Sequence, residues 1–299
     1  MLKWITPDAD SIHGGAWNDN RSRRFGSDSA PANIVLLSSK YDTKTALLDG
    51  ALLRYYNGSK PNRRGYGFPL FSGDKDLGDI VAVLRDDAAE RGVQFGFCLC
   101  DERQKAALDA VCRIDWNCTD DDSDYIYKTE SLAALSGKKL HRKRNHINNF
   151  RKMYDDVRYS PLSESNAADA LTVAQKWLEE RSENVTADEL YELESIRFAL
   201  ANTDKLGISG GVLYVGGVPA AMTAASQVSD AVTDVHYEKA WGEFAANGAF
   251  TVINQCFAAS VTSEYINREE DMGIEGLRTA KESYFPAFKL KKYYGAYKG

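Results

Sequence analysis

The run Val212-Leu-Tyr-Val-Gly-Gly-Val-Pro-Ala-Ala-Met-Thr223, followed by Val232-Thr-Asp-Val-His-Tyr-Glu-Lys239, decides the fold class. Two strand-like segments flank Gly216-Gly217, and paired glycines supply the positive φ angles that a two-residue hairpin turn requires. The third segment alternates with period two, which puts Asp234, His236 and Glu238 on one face and Val235 and Tyr237 on the other. Working outward, Leu171, Ala174, Trp177 and Leu178 form the stripe of a helix over 166–181. Thr186-Ala-Asp-Glu189 is a capping box that starts a second helix running to Leu200. On the C-terminal side the pattern predicts a helix over 250–262, a strand at 265–267, a helix near 274–284 and a last aromatic, basic strand at 288–297. Strands interleaved with helices in this way describe a mixed sheet covered on both faces.

The first half reads similarly. Residues 11–31 are polar, Gly-rich and irregular, and Asn33-Ile-Val-Leu-Leu-Ser38 is the first strand expected. Leu77, Ile80, Val81, Leu84 and Ala88 recur at helical spacing up to Gly92. A strand over 93–100 then leads into a helix over 101–113. Thr119–Asp124 is an acidic, solvated turn, and Tyr125–Tyr127 is a short strand. Leu140, Ile147, Phe150 and Tyr154 make a stripe on a helix over 138–154. A boundary near 157 divides the chain into units 1–157 and 158–299.

With 299 residues the chain suits two domains, and 43% apolar against 27% charged residues is a globular composition. The net charge of −6 means that any nucleic-acid contact must come from a local patch. One exists, since residues 138–158 hold eight Lys or Arg against two Asp. The five cysteines form no Cys-x-x-Cys, and the four histidines are scattered. Reduced, mostly buried thiols in a cytoplasmic protein are therefore expected, and no metal site. The N-terminus has no apolar core of a signal peptide, and no stretch reaches the length of a spanning helix, so no integral membrane association is expected.

Three blocks carry a family resemblance. They are Asp124-Tyr-Ile-Tyr127 with Leu135-Ser-Gly-Lys-Lys139 and Lys143-Arg-Asn-His-Ile-Asn148; Gly210-Gly-Val-Leu-Tyr214 with His236-Tyr-Glu-Lys239 and Ile253-Asn254; and Tyr265-Ile-Asn-Arg-Glu-Glu-Asp-Met-Gly-Ile-Glu-Gly-Leu-Arg-Thr-Ala-Lys281 with Ser283-Tyr284. Together they resemble a bacterial family grouped with the C-terminal catalytic domain of phosphatidylglycerol lysyltransferase. The resemblance implies an α/β fold of tandem acyl-CoA N-acyltransferase-like (GNAT) lobes, with mixed central sheets flanked by helices.

It also implies an N-acyl or aminoacyl transferase. The donor is aminoacyl-tRNA or acyl-CoA, with no tightly bound cofactor, and the acceptor is a small-molecule or peptide amine or a hydroxyl. Transfer RNA is favoured because Trp241–Phe250 lacks the basic, glycine-rich loop that cradles a pyrophosphate. The alternative is a non-catalytic module that keeps the fold and binds a ligand or RNA. Glu238, on the strand that often supplies the superfamily's base, and Tyr284, at the position of its acid, are the catalytic candidates. Asn267, Arg268, Glu269 and Asp271 are expected to bind an amine or an ammonium-bearing acyl group, with Arg278 and Lys281 answering their charge. Lys143, Arg144, Asn148 and Arg151 on the basic helix, with His236, complete the expected donor-binding set.

Overall fold

A computed structural model describes residues 2–12, 24–181 and 185–299. The irregular reading of 11–31 falls largely on 13–23, outside the described residues. The chain runs α1 (Pro31–Leu36), β1 (Lys44–Leu48), β2 (Ala51–Asn57), β3 (Arg64–Tyr66), α2 (Leu77–Arg91), β4 (Gly96–Cys100), α3 (Glu102–Asp109) and β5 (Ile114–Cys118). It continues through β6 (Asp124–Lys128), α4 (Thr129–Ala134), α5 (His141–Met153), β7 (Val157–Pro161), α6 (Ala167–Glu179), α7 (Ala187–Ala201) and α8 (Thr203–Leu206). Then come β8 (Ser209–Val215), β9 (Val218–Ser229), β10 (Val232–Ala240), α9 (Gly242–Ala246), α10 (Ala249–Ser260), β11 (Tyr265–Asn267), α11 (Glu275–Glu282), β12 (Phe288–Leu290) and β13 (Tyr293–Tyr297).

The strands form two mixed sheets. The first has the order β1-β2-β3-β4-β13-β5 and the second β12-β6-β11-β10-β9-β8-β7. Pairing is antiparallel except for β3 with β4 and β10 with β11. The β8–β9 hairpin turns through Gly216 (φ 56°) and Gly217 (φ 80°), the left-handed pair its turn requires.

The chain crosses between the sheets at places a cut at 157 does not anticipate. Residues 124–128 already belong to the second sheet, and 293–297 return to the first, between β4 and β5. The aromatic run over 288–297 is thus two strands in two sheets rather than one. Lys292 lies at the break, only 3% exposed, and its ammonium is held by buried carboxylates rather than by a ladder position. β13 enters between β4 and β5 because both contacts are glycine-lined. A Cβ at Gly295 would stand 2.3 Å from the Asp115 carbonyl oxygen, and one at Gly96 would stand 2.4 Å from that of Gly295.

Residues 33–38, expected as a strand, are mostly helix instead. Pro31 occupies the first turn of α1, and Ala32 through Leu36 are all buried. A short apolar run has no periodicity that separates a buried strand from a buried helix, so packing decides. Ala32, Ile34, Val35 and Leu36 join α6, α7 and one face of β8–β10 in a common core. The other face of the second sheet packs on α4, α5 and α10. The first sheet has its own core with α2 and α3, around Tyr55, Tyr66, Leu84 and Phe97.

Candidate active site

The geometry turns on one irregularity in β10. Its register against β9 shifts between Val235 and Tyr237, leaving His236 as the extra residue of a β-bulge. Val235 faces the core with α5 and α10, whereas Tyr237 faces α1, α6 and α7. Alternation then resumes with Glu238 toward α10. The expected single face holding Asp234, His236 and Glu238 is therefore corrected, because an inserted residue flips every later side chain. Glu238 stands on one side of the sheet, and Asp234 and His236 stand on the other.

On the α10 side, Glu238 accepts from Arg268 Nη2 at 2.9 Å and from Asn254 Nδ2 at 3.2 Å. Lys143, from the basic helix, sets its ammonium 3.8 Å from the centroid of the Tyr284 ring. The Arg268 guanidinium lies 5.1 Å from the same ring and 6.0 Å from that of Tyr127. Burial and the neighbouring Arg268 pull Lys143 down to about 8, with Glu238 opposing. Burial raises Tyr284 despite the Arg268 charge, so its hydroxyl stays protonated through the neutral range. Arg268 resists the pull of burial because Glu238 favours its charged form.

Two polar atoms here have no hydrogen-bond partner among the described residues, and both are buried: Arg268 Nη1, a donor, and Asn254 Oδ1, an acceptor. Since Asn254 gives its Nδ2 to Glu238, its oxygen is the atom left over. One unpaired donor and one unpaired acceptor thus lie beside an anchored carboxylate.

The remaining expected residues divide by place. On the opposite face, His236 Nδ1 lies 3.4 Å from both Asp234 Oδ2 and Glu269 Oε1, and its Nε2 lies 2.8 Å from Ser226 Oγ. Asn267 donates to the Phe25 carbonyl and to Asp124 while accepting from the Glu269 amide, which fixes the loop. Asp271 accepts from Tyr125, Gly273 and Arg278, and Arg278 also reaches Asp121. These hydrogen bonds outweigh burial and hold Asp271 well below the usual carboxylate range.

Lys281 does not answer carboxylates as expected. Its ammonium donates to the carbonyls of Arg268, Glu269 and Glu270 and clamps that loop. Arg144 reaches the carbonyls of Leu135 and Gly137, so it braces the chain after α4. Asn148 and Arg151 are exposed on the outer face of α5.

Several residues of this interior carry no expectation from the sequence. Lys292 bonds Asp124 at 2.6 Å, Asp28 at 2.8 Å and Glu270 at 3.2 Å. Arg63 holds Glu270 at 2.8 Å and Asp122 at 3.3 Å. Asn254 lay within a quoted block, and its polarity in the apolar run 249–258 is the signal that could have singled it out. Lys292, inside an apparently exposed basic strand, offered none. Among the described residues no helix is long and apolar enough to cross a membrane.

Comparison with known proteins agrees with this architecture. The family model for phosphatidylglycerol lysyltransferase, C-terminal, matches residues 19–296. A conserved protein of unknown function from Bacteroides thetaiotaomicron is 31% identical with a TM-score of 0.90, and the likeness covers 100% of both chains. The L-PGS structure from Bacillus licheniformis is 15% identical with a TM-score of 0.64, covering 97% of this chain and 92% of that one. FemX is 9% identical with a TM-score of 0.55, covering 98% and 97%. No curated protein matches the chain. The expected α/β class, two mixed sheets flanked by helices, is borne out, and the fold is like that of FemX.

Proposed function

The chain belongs to the family of phosphatidylglycerol lysyltransferase C-terminal domains, and from that premise we propose that it is an aminoacyltransferase. It takes an aminoacyl group from transfer RNA and gives it to an amine or hydroxyl acceptor. The observation that carries this reading is the pair of unpaired atoms beside Glu238, Arg268 Nη1 and Asn254 Oδ1, with Lys143 alongside. Acyl transfer needs a donor for the developing oxyanion, an acceptor for the nucleophile's proton-bearing atom, and a group that moves a proton near neutral pH.

In this assignment the acceptor nitrogen or oxygen attacks the ester carbonyl carbon, and Arg268 stabilises the oxyanion that forms. Where the nucleophile is an amine, Asn254 Oδ1 accepts its second N–H and orients it. Lys143, a fraction of which is neutral when its affinity for protons falls to about 8, takes the nucleophile's proton. The bond from the acyl carbon to the ribose oxygen breaks, and that oxygen receives the proton from Lys143. Tyr284, kept protonated by burial, is assigned to hydrogen-bond the departing oxygen. Glu238, expected from the sequence as the base, becomes a positioning residue, since Arg268 and Asn254 hold its two oxygens. The basic residues of α5 favour a transfer RNA donor over acyl-CoA, and a transfer RNA donor implies work in the cytoplasm.

The exposed face of α5 supplies the test of the donor. Arg151→Gln and Lys152→Gln, measured by titration with charged transfer RNA and with coenzyme A in parallel, are expected to weaken only the former. Each lost phosphate contact lowers the log–log salt slope by roughly 0.7–0.9. Arg144→Gln is expected to lower Tm instead, because its guanidinium braces Leu135 and Gly137. Equal losses for both ligands, or unchanged slopes, would remove transfer RNA from the proposal.

A further inference from the structure

On the face of β10 away from Glu238, Asp234 is a carboxylate in an unusual position. It is 0% exposed, and neither oxygen has a hydrogen-bond partner among the described residues. The nearby ammonium of Lys292 is engaged by Asp28, Asp124 and Glu270. Its charge is therefore already shared among three carboxylates that lie closer. A buried carboxylate with neither oxygen hydrogen-bonded is costly when ionised, so it is neutralised either by a proton or by a bound cation.

The geometry points to a divalent transition-metal site built from Asp234, His236 and Glu269, with zinc as its natural test ion. These three residues place ligand atoms within 4.8 Å of one another. The distances from His236 Nδ1 to Asp234 Oδ2 and to Glu269 Oε1 are both 3.4 Å. Two ligands bound tetrahedrally at about 2.0–2.1 Å from one zinc stand roughly 3.3–3.4 Å apart. The remaining pair closes by rotation of Glu269, the most exposed of the three at 25% of its side chain.

Three further features fit a metal better than a bare ion pair. Ser226 Oγ is 2.8 Å from His236 Nε2, so Nε2–H can donate outward and leave the Nδ1 lone pair facing the two carboxylates. Metal-bound histidines are commonly oriented in this way by a partner on the other ring nitrogen. Glu269 adopts a left-handed backbone (φ 54°), held by Asn267 on its amide and by Lys281 on its carbonyl. Rigid backbone support of that kind aims a ligand. Imidazole with two carboxylates selects zinc, manganese or iron over magnesium and calcium, which favour all-oxygen sets. Asp234 and His236 are legible as neighbours on one strand, but Glu269 joins them only through the fold, 33 positions beyond His236.

The experiment is isothermal titration of zinc chloride into chelator-treated full-length chain. A Cys118→Ser background removes the exposed thiol as a competing ligand. One zinc per chain is expected. Asp234→Asn and Glu269→Gln should each weaken binding by about 100-fold or more, and Ser226→Ala by roughly 10–100-fold as an orienting partner. Zinc should raise the Tm of the parent and leave that of Asp234→Asn unchanged. The asparagine variant is isosteric and loses a buried charge, so without zinc it should be at least as stable as the parent, which separates lost binding from misfolding. An isotherm identical for parent and Asp234→Asn would overturn the site. So would absence of binding, or a Tm that rises with lysine or ethanolamine but not with zinc, which would make the cluster an ammonium pocket.

Discussion

Arg268→Lys should lower kcat by roughly 10²–10³-fold while changing KM little, the size of effect seen when one oxyanion donor is lost. The substitution keeps a cation beside Glu238, so the buried carboxylate is not abandoned and the fold should persist. It removes the planar fork through which Nη2 serves Glu238 while Nη1 remains available. A companion variant, Lys143→Met, separates proton transfer from charge stabilisation. In the parent, neutral Lys143 becomes more common as pH rises through about 8, so kcat/KM should climb through that range. In Lys143→Met this limb should disappear, leaving only any limb that belongs to the acceptor itself. Steady-state kinetics across pH checks both, and wild-type activity in Arg268→Lys would take the oxyanion role from Arg268.

Lys292→Met should cost roughly 3–5 kcal/mol of stability at neutral pH, because removing one partner strands buried charges. Asp28, Asp124 and Glu270 all lean on this ammonium. Burial pushes Glu270 upward, but Lys292 and Arg63 overcome it and hold the carboxyl well below its usual range. A depressed folded value stabilises the protein above the unfolded value of 4.5 and is lost as pH falls through the folded one. In Lys292→Met that lowering is weakened for Glu270, which keeps Arg63, and Asp124, already raised by burial, is pushed further up, so the folded variant takes up protons more readily than the parent. The deficit should be full at neutral pH and shrink as acid protonates these carboxylates. Urea denaturation at neutral and mildly acidic pH measures both. A constant deficit across pH would assign Lys292 to packing alone.

Local chemistry made much of this fold legible. Gly216-Gly217 fixed the hairpin, Thr186 and Glu189 capped α7, and Gly92 closed α2 with a left-handed φ of 63°. What failed depended on tertiary context. Residues 33–36 became helix because Ile34, Val35 and Leu36 pack with α6 and α7. The bulge at His236 inserts one residue with no turn-forming side chain to announce it, and it divided a face that alternation had united. The site was partly legible for the same reason. Lys143, Glu238, Arg268 and Tyr284 stand in blocks of unusual polarity, and the structure brings them together across α5, β10, β11 and the end of α11. The buried charges at Lys292, Arg63 and Glu270 are contacts between sheets, and no pattern local to any strand encodes them.

The central claim is aminoacyl transfer at the Arg268 site, and single-turnover transfer from charged transfer RNA tests it most directly. Transfer RNA carrying a radiolabelled aminoacyl group is mixed with excess protein and a panel of amine and hydroxyl acceptors, and the label is followed from ester to product. The account predicts that label leaves transfer RNA at a rate set by the protein and by one class of acceptor, and that Arg268→Lys slows this by roughly 10²–10³-fold without loss of transfer RNA binding. Tight binding of charged transfer RNA, with label retained at the same rate for the parent, Arg268→Lys and buffer, would contradict it and leave a binding module that keeps the fold.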